Sequence, residues 1–248
     1  MADPKTESQS DEPESTVPSV FSPVRSLVMP ALELPDHFEY NTRLQMDGLE
    51  FLAHLPEGKF PVAFLDPQYR GLLDKMSYGN EGRSRNRGRS ALTQMDAAKI
   101  AAFVRGIDRA LMPSGHLFLW MDKFHLCTGF SPWLAETKLA VVDLVTWDKG
   151  RIGMGYRTRR KSEHVVVLQK TPRRAKGVWK IHNIPDVWDE TVPRDAETHR
   201  KPVELQGALL AAVTNPGDVV IDPAAGSFSV LEACRERNRV FLGCDIEG

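Results

Sequence analysis

The sequence predicts an α/β fold in which a mainly parallel sheet carries helices on both faces. Short apolar runs alternate with segments of helical spacing, a pattern typical of parallel sheets. Three of the apolar runs end in an aspartate, namely Asp66, Asp222 and Asp245. Because ligands bind beyond the carboxyl ends of such strands, the acidic strand ends predict a binding site at that edge.

The first half of the chain follows this alternation. Predicted in order are a short strand at 38–47, a helix at 47–56, a strand at 62–66, a helix from about Met95 to Leu111 and a strand at 116–120. The run at 62–66 is continuously apolar, which is typical of a strand buried on both faces. We expect the helix to be ended by Pro113 and Gly115.

The second half continues the alternation with one exception. Predicted are a helix near 124–138, strands at 140–147 and 163–170, a helix at 201–214, a strand at 219–223, a helix around 228–237 and a strand at 239–245. No helix fits in the Gly-rich connection between the strands at 140–147 and 163–170. These two strands are therefore expected to form an antiparallel pair.

The 248 residues suggest one large domain, with three irregular segments attached. Residues 1–30 are rich in Ser, Pro and acids, and we expect them to be a disordered acidic tail before a folded domain at 31–248. Residues 70–93 are polar and rich in Gly and Arg, which predicts a functional or mobile loop. Residues 171–198 are expected to be a small irregular insert.

Composition limits the cellular setting and the chemistry. No window approaches the roughly 18 apolar residues of a membrane span, and the N-terminus lacks the apolar core of a signal peptide. The three cysteines are widely spaced and form no CxxC pair, which argues against disulfides and a cysteine zinc site. We expect a cytoplasmic protein with no membrane partner and no metal.

The net charge of −1 conceals two basic clusters. One contains Arg83, Arg85, Arg87 and Arg89, and the other is RTRRK at 157–161, which includes Arg159 and Arg160. Clusters of this kind are expected of a protein that binds a polyanion such as nucleic acid. Solvated surface loops are the alternative interpretation.

The stretch VVIDPAAGSFSVLEA places Asp222 at a strand end, then small residues, then a helix. Small side chains let a ligand approach the backbone, and a helix start offers free N–H groups. The dinucleotide fingerprint GxGxxG is absent. Asp245 ends the next strand, where an acid in a βαβ unit is placed to bind ribose hydroxyls.

Together with DPQY at 66–69, these residues identify a family resemblance. The chain resembles S-adenosylmethionine-dependent amino methyltransferases of the β class, which modify adenine N6 or cytosine N4 in DNA. The family motifs DPxxGSG and DPPY are similar to DPAAGSF at 222–228 and to DPQY. HRKPVELQGALL at 199–210 and WDKGRIGMGYRTRRKSEHVVV at 147–167 also resemble family segments.

The resemblance implies a Rossmann-like methyltransferase sheet with a circularly permuted motif order. The chain would begin with the usual third strand and stop three residues after Asp245, at the end of the usual second strand. On this interpretation the permuted fold is complete. Residues 40–245 carry the resemblance.

The resemblance also implies roles for individual residues. Asp66 and the carbonyl of Pro67 would accept N–H bonds from the target amine, while Tyr69 would stack on a base flipped out of the duplex. The cofactor, S-adenosyl-L-methionine, would be held by Asp222, Ala224, Gly226, Ser227, Asp245, Asp47, Lys201 and His199. For His199 a helix cap, and for Lys201 a solvated lysine, are the alternative readings.

Several functional alternatives stay open at this point. The family usually has proline where this chain has Gln68, which leaves a catalytically silent nucleic-acid-binding subunit as one alternative. An acid at the first motif position goes mostly with adenine N6, so DNA adenine methylation is favoured over N4-cytosine and RNA methylation. A nucleotide-binding oxidoreductase is disfavoured because GxGxxG is absent. DNA and a possible homodimer are the expected partners, with nucleoid association in the cytoplasm.

Overall fold

The structure is a computed structural model that describes residues 32–68, 95–153, 157–193 and 200–248. The expected acidic tail at 1–30 and loop at 70–93 lie outside the described residues. No helix in the described ranges has both the length and the apolar character needed to cross a membrane.

Strands and helices alternate along most of the described chain. In order they are β1 (Leu44–Gln45), α1 (Gly48–His54), β2 (Phe60–Leu65), α2 (Ala97–Ala110), β3 (Leu111–Met121), α3 (Lys123–Thr128), a 3-10 helix (Ser131–Leu134), β4 (Leu139–Asp148), β5 (Ser162–Lys170), β6 (Val187–Asp189), α4 (Val203–Val213), β7 (Val219–Asp222), α5 (Ser229–Glu236) and β8 (Val240–Asp245).

The described strands form one sheet in the order β1-β8-β7-β2-β3-β5-β4-β6. The first five strands are mutually parallel, whereas β5 runs antiparallel to both β3 and β4. The predicted α/β fold class, including the antiparallel hairpin of β4 and β5, is therefore confirmed. Strand β1 pairs with β8 although they lie at opposite ends of the described chain, as the permuted motif order requires.

The sheet separates two hydrophobic cores. Alternate residues of β2 enter opposite cores: Ala63 and Leu65 pack with α1 and α2, whereas Val62 and Phe64 pack with α4 and α5. This two-residue period is the geometry of a strand covered on both faces. Burial on both faces explains the continuous apolar run that precedes Asp66.

Four predicted elements need correction. The strand expected at 38–47 is only Leu44–Gln45, and the helix expected at 124–138 is two short helices, since Gly129 adopts φ 92° between them. The α2 helix ends at Ala110 and β3 begins at Leu111, so Pro113 lies inside a strand. The insert 171–198 is not wholly irregular, because β6 within it pairs with β4.

Candidate active site

The acids at the strand ends line one cavity of about 430 Å³. Asp66 follows β2, and Asp222 and Asp245 end β7 and β8, three strands that lie side by side. Asp47 lies on the same wall. Of the other residues predicted to hold a cofactor, Ala224, Gly226, Ser227 and Lys201 also line this cavity. The structure thus brings together every described member of the predicted cofactor set.

The turn after β7 is tied to the end of β8 by backbone geometry. The Ala225 amide donates to the Cys244 carbonyl at 2.9 Å, and the Gly226 amide donates to Asp245 Oδ2 at 3.0 Å. Gly226 has φ 52°, a left-handed conformation that costs glycine little. The carboxylate of Asp245 therefore has one oxygen fixed by the turn, so that the turn and the acid face the cavity together.

Phe228 occupies the position at which the related motif has glycine. Its φ of 56° is left-handed, which is unfavourable for a side chain of this size. The ring is fully buried and meets Phe241 edge to face at 6.0 Å, while the Arg43 guanidinium lies 5.1 Å from the ring centre. Burial of the ring offsets the backbone strain at the start of α5.

Asp222 is a buried acid with no cation beside it among the described residues. The loss of solvation raises its pKa to about 8, against one opposing hydrogen bond from the Ala224 amide at 3.3 Å. The nearby negative charges of Asp66 and Asp245 act in the same direction as burial. The protonated form of Asp222 is therefore favoured relative to that of a solvent-exposed aspartate.

Asp47 caps the helix that borders the cavity. Its carboxylate accepts from the Leu49 amide at 2.8 Å and lies 3.5 Å from the Lys99 ammonium. Burial acts to raise the pKa of Asp47, but the backbone hydrogen bonds and Lys99 outweigh it and lower the pKa below its usual value. A Cβ on Gly48 would lie 2.1 Å from the Pro223 carbonyl, so glycine is required where α1 begins against the turn after β7.

Asp66 is held by a chain of four alternating charges. Its Oδ2 lies 2.9 Å from Lys201 Nζ, and the same ammonium lies 2.9 Å from Glu163 Oε2. The other oxygen of Glu163 accepts from Lys149. This charge relay joins the end of β2, the approach to α4, the start of β5 and the residue after β4.

The pKa values in the charge relay follow from burial and pairing. Although 31 % of the Asp66 side chain faces the cavity, loss of solvation raises its pKa; Lys201 opposes this and Glu163 adds to it. Burial acts to raise the pKa of Glu163 too, but the two ammonium groups lower it to about 2. The two carboxylates hold the pKa of Lys201 above its usual value despite burial.

Two tryptophans lie beneath the lysines of the charge relay. Lys201 Nζ is 5.0 Å from the Trp120 ring centre, and Lys149 Nζ is 5.3 Å from that of Trp147. The two rings meet edge to face at 6.0 Å. Aromatic faces attract cations, so each ring helps to hold its ammonium group in place.

Sequence reasoning missed several residues in and behind this cavity. Glu163 and Lys149 were part of the segment that resembled the family, but no role was assigned to them. Trp120 and Lys99 line the cavity but belong to no motif, and Gln206 lines it from within the 199–210 segment that resembles the family. The signal in the sequence was a lysine just after the first strand of the predicted hairpin, Lys149, and a glutamate at the start of its second strand, Glu163.

Some predicted site residues lie outside the described residues, namely Tyr69, His199, Arg83, Arg85, Arg87 and Arg89. Pro67 is described and buried. Among the described residues, no group of three or more His, Cys, Asp and Glu is arranged to hold a metal ion.

The two predicted DNA-binding arginines that are described differ in their surroundings. Arg159 is exposed and donates through Nε to the Gly153 carbonyl at 2.7 Å. Arg160 is half-buried, lies 3.8 Å from Asp122 and packs over the Phe124 ring at 5.5 Å. The charge of Arg159 therefore remains directed to solvent, whereas that of Arg160 is partly neutralised.

A permuted parallel sheet of this order, with acids from three adjacent strands around one cavity, is a Rossmann-like fold with a ligand site at the carboxyl edge of its sheet. The chain belongs to the DNA methylase family, whose profile of N6 and N4 methyltransferases matches residues 97–248. This family transfers methyl groups to DNA bases and depends on S-adenosylmethionine, which confirms the reaction class and the cofactor expected from the sequence.

Similar proteins support the assignment. The chain is 52% identical over 207 residues to the Type II methyltransferase M.HhaII of Haemophilus parahaemolyticus, covering 83% of this chain and 91% of that protein. Similar solved structures include an M1.HpyAVI–SAM complex (TM-score 0.58, 18% identity, 84% of this chain and 94% of that one). Another is the cytosine-N4-specific PvuII DNA methyltransferase (TM-score 0.63, 15% identity, 84% and 83%).

Proposed function

We propose that the chain transfers the methyl group of S-adenosylmethionine to the exocyclic N6 of adenine in DNA. The observation that carries this proposal is the position of Asp66. This acid follows the carboxyl end of β2, shares one cavity with the proposed cofactor residues and pairs with Lys201. DNA methylation is the reaction of the family; the choice of adenine rests on the acid at the first position of DPQY.

The target amine is a weak nucleophile because its lone pair is delocalised into the base. The Asp66 carboxylate accepts one amino N–H, and the carbonyl of Pro67 accepts the other. These bonds favour a tetrahedral nitrogen and relieve the positive charge that develops as the methyl group arrives. The proline ring fixes the backbone angle that presents the carbonyl.

The cavity divides into two ends. The cofactor end comprises Asp222, Ala224, Gly226, Ser227 and Asp245, and the base end comprises Asp66 with Lys201, behind which Glu163 pairs with Lys201. When bound, the cofactor supplies an electrophilic methyl group. We assign Asp245 to the ribose hydroxyls and Asp47 to the adenine side.

The residues present fit this cofactor. Gln206 lies on the cavity wall, is buried, and its Oε1 has no hydrogen-bond partner among the described residues. An unpaired buried acceptor is costly, and a ligand that carries an ammonium group offsets that cost. Two of the three Lys201 N–H bonds are directed to Asp66 and Glu163, which leaves one for the cofactor carboxylate.

DNA would reach the base end from the side of the 157–161 segment. Tyr69 is proposed to stack on the flipped adenine, and the basic residues to hold the phosphates. Because Arg159 is exposed and Arg160 is engaged with Asp122, Arg159→Gln should reduce the salt dependence of DNA binding by about one unit of slope. The same substitution at Arg160 should change the slope less.

We also propose a homodimer. Apolar side chains are exposed along the β4–β6 edge of the sheet, including Val141, Leu144 and Val187. A second chain would cover them. Light scattering on the full chain and on a chain lacking residues 1–30 tests this; a monomer at micromolar concentration in both contradicts it. A DNA substrate would place the protein at the nucleoid.

The function is tested by incubating the protein with S-adenosylmethionine and with DNA or RNA, then separating the nucleosides by mass spectrometry. N6-methyladenine in DNA is expected, and none with Asp66→Asn. N4-methylcytosine alone would overturn the base assignment, and methylated RNA alone would overturn the substrate. A protein that binds DNA and cofactor without any transfer would indicate a silent subunit.

A further inference from the structure

The charge relay contains two residues that touch neither the cofactor end nor the target amine. Glu163 and Lys149 stand behind Lys201, on the hairpin of β4 and β5. Their side chains are mostly covered, with 29 % and 25 % of the surface exposed. Removing two charged side chains from water costs free energy, which their ion pairs offset only in part. We therefore look for a function that this arrangement serves.

We propose that Glu163 is a positioning residue for methyl transfer, which acts through Lys201 to fix the place and the charge of Asp66. This inference rests on the proposed function of Asp66. Lys149 in turn holds Glu163 in its anionic form. The hairpin thereby controls an acid that lies two strands away in the sheet.

Geometry supports this role because Lys201 is shared. A lysine bonded to Asp66 alone would be free to rotate about its long side chain, whereas a second carboxylate at 2.9 Å and the Trp120 face fix the ammonium. Lys201 also belongs to the residues that lead into α4, so it ties that helix to the hairpin. Its side chain is only 13 % exposed.

The charged groups that face Asp66 come from several elements. Lys201 and Lys149 act to lower the pKa of Asp66, and Glu163 acts to raise it; Asp222 on β7 is a further acid close by. His164 lies beside Glu163 and has a lowered pKa, chiefly because of burial, so it adds no positive charge at neutral pH. Removal of Lys201 and removal of Glu163 should therefore shift the titration of Asp66 in opposite directions.

The experiment measures kcat for DNA methylation against pH. Activity requires anionic Asp66, so it falls on the acid side as Asp66 gains a proton. Lys201→Met should move this acid limb to higher pH by about 1–3 units, because an opposite charge is lost. Glu163→Gln should move it to lower pH and reduce the plateau kcat about 10-fold, the cost of one hydrogen bond to a charged group.

Glu136→Gln is the matched control, since Glu136 pairs at 3.0 Å with Arg105 on the exposed surface. It should change neither the plateau nor the limb. Lys149→Met leaves Lys201 and Asp66 intact and should move the acid limb to higher pH by less than Lys201→Met does. It replaces Lys201→Met in the experiment if that variant does not fold. In a double variant, Glu163→Gln should add little to the plateau loss of Lys201→Met.

Carboxyl ¹³C NMR titration of Asp66 provides a readout that does not depend on methyl transfer. Shifts of the Asp66 titration in the predicted opposite directions support the electrostatic part of the inference even if wild-type protein methylates no DNA, an outcome that would overturn the proposed function instead. Variants that lose activity or thermal stability while the Asp66 titration stays in place would show a structural role only, and overturn the inference.

Discussion

The two ends of the cavity are built in different ways. The proposed cofactor end, apart from Asp47 and Gln206, comes from one continuous stretch, in which β7, the turn, α5 and β8 follow each other within residues 219–245. The base end draws on four separated segments, whose side chains meet only through the charge relay. The first is held by hydrogen bonds that backbone amides of the turn donate, and the second by side-chain charges.

The acids of the two ends differ accordingly. Asp222 has no lysine or arginine beside it in the described part of the chain, and burial raises its pKa to about 8. Asp66 Oδ2 lies 2.9 Å from Lys201 Nζ, whose positive charge stabilises the Asp66 carboxylate against the effect of burial. Burial therefore disfavours the anionic form of Asp222 at the cofactor end, whereas Lys201 favours the carboxylate form of Asp66 at the base end.

The largest effect should come from the base end alone. Asp66→Asn is expected to reduce kcat about 10²- to 10⁴-fold, because the amide accepts an N–H bond less well and carries no charge. Calorimetry should show S-adenosylmethionine affinity unchanged within about twofold, since the proposed cofactor contacts do not include Asp66. A variant that keeps a tenth of wild-type kcat, or loses cofactor binding with it, would contradict the separation of the two ends.

The next effect concerns stability at the cofactor end. Phe228→Ala removes a fully buried ring and should lower the free energy of unfolding by about 3–5 kcal/mol. Phe228→Gly removes the same ring but relieves the left-handed strain at φ 56°, worth about 1–2 kcal/mol.

Denaturant unfolding should therefore find the glycine variant of Phe228 more stable than the alanine variant. This reverses the usual order, in which glycine costs more than alanine in regular structure. Equal stability of the two variants, or a more stable alanine variant, would show that the backbone strain is released in solution.

The same contrast explains what the sequence predicts well. The turn at 222–228 and the acid Asp245 are near neighbours in the chain. The small residues of the turn indicate a backbone that a ligand can approach. The β4–β5 hairpin was predicted because its Gly-rich connection excludes a helix. Such features depend on local conformation, which short patterns report.

The alternation of strands and helices predicted that distant acids meet at one sheet edge, but not which side chains pair there. Lys201 pairs with Asp66, which lies 135 positions earlier in the chain, and no pattern in either segment indicates this pairing. Strand β6 is three residues long and forms only because β4 offers an open edge. The break after α3 depends on Gly129, which the apolar spacing of the surrounding residues conceals.

A smaller effect than those above is expected for cofactor affinity. Asp245→Ala removes a charged acceptor that also fixes the Gly226 amide, and should weaken S-adenosylmethionine binding by about 1.5–3 kcal/mol, or roughly 10- to 150-fold. The plateau kcat at saturating cofactor should change little. Calorimetry that finds unchanged affinity would mean that the ribose lies elsewhere in the cavity.

The smallest effect belongs to the insert at 171–198, which contacts the first turn of α4. Pro202 begins this helix and offers no capping side chain. Glu190, just after β6, supplies the cap instead: its carboxylate accepts from the Glu204 amide at 3.1 Å and from the Leu205 amide at 2.9 Å. Trp188 Nε1 fixes the same carboxylate at 2.9 Å.

Glu190→Ala should therefore destabilise the protein by about 1 kcal/mol, the usual cost of a lost helix cap, and lower Tm by about 2–4 °C. Glu204→Ala is the matched control, an exposed acid of the same first turn that pairs with Arg237; it should cost less than half as much. Because α4 follows directly on Lys201, Glu190→Ala should also lower kcat slightly without moving its acid limb. A Tm equal to that of the control would show that water caps the helix as well as Glu190 does. It would also show that the insert does not help to position the charge relay.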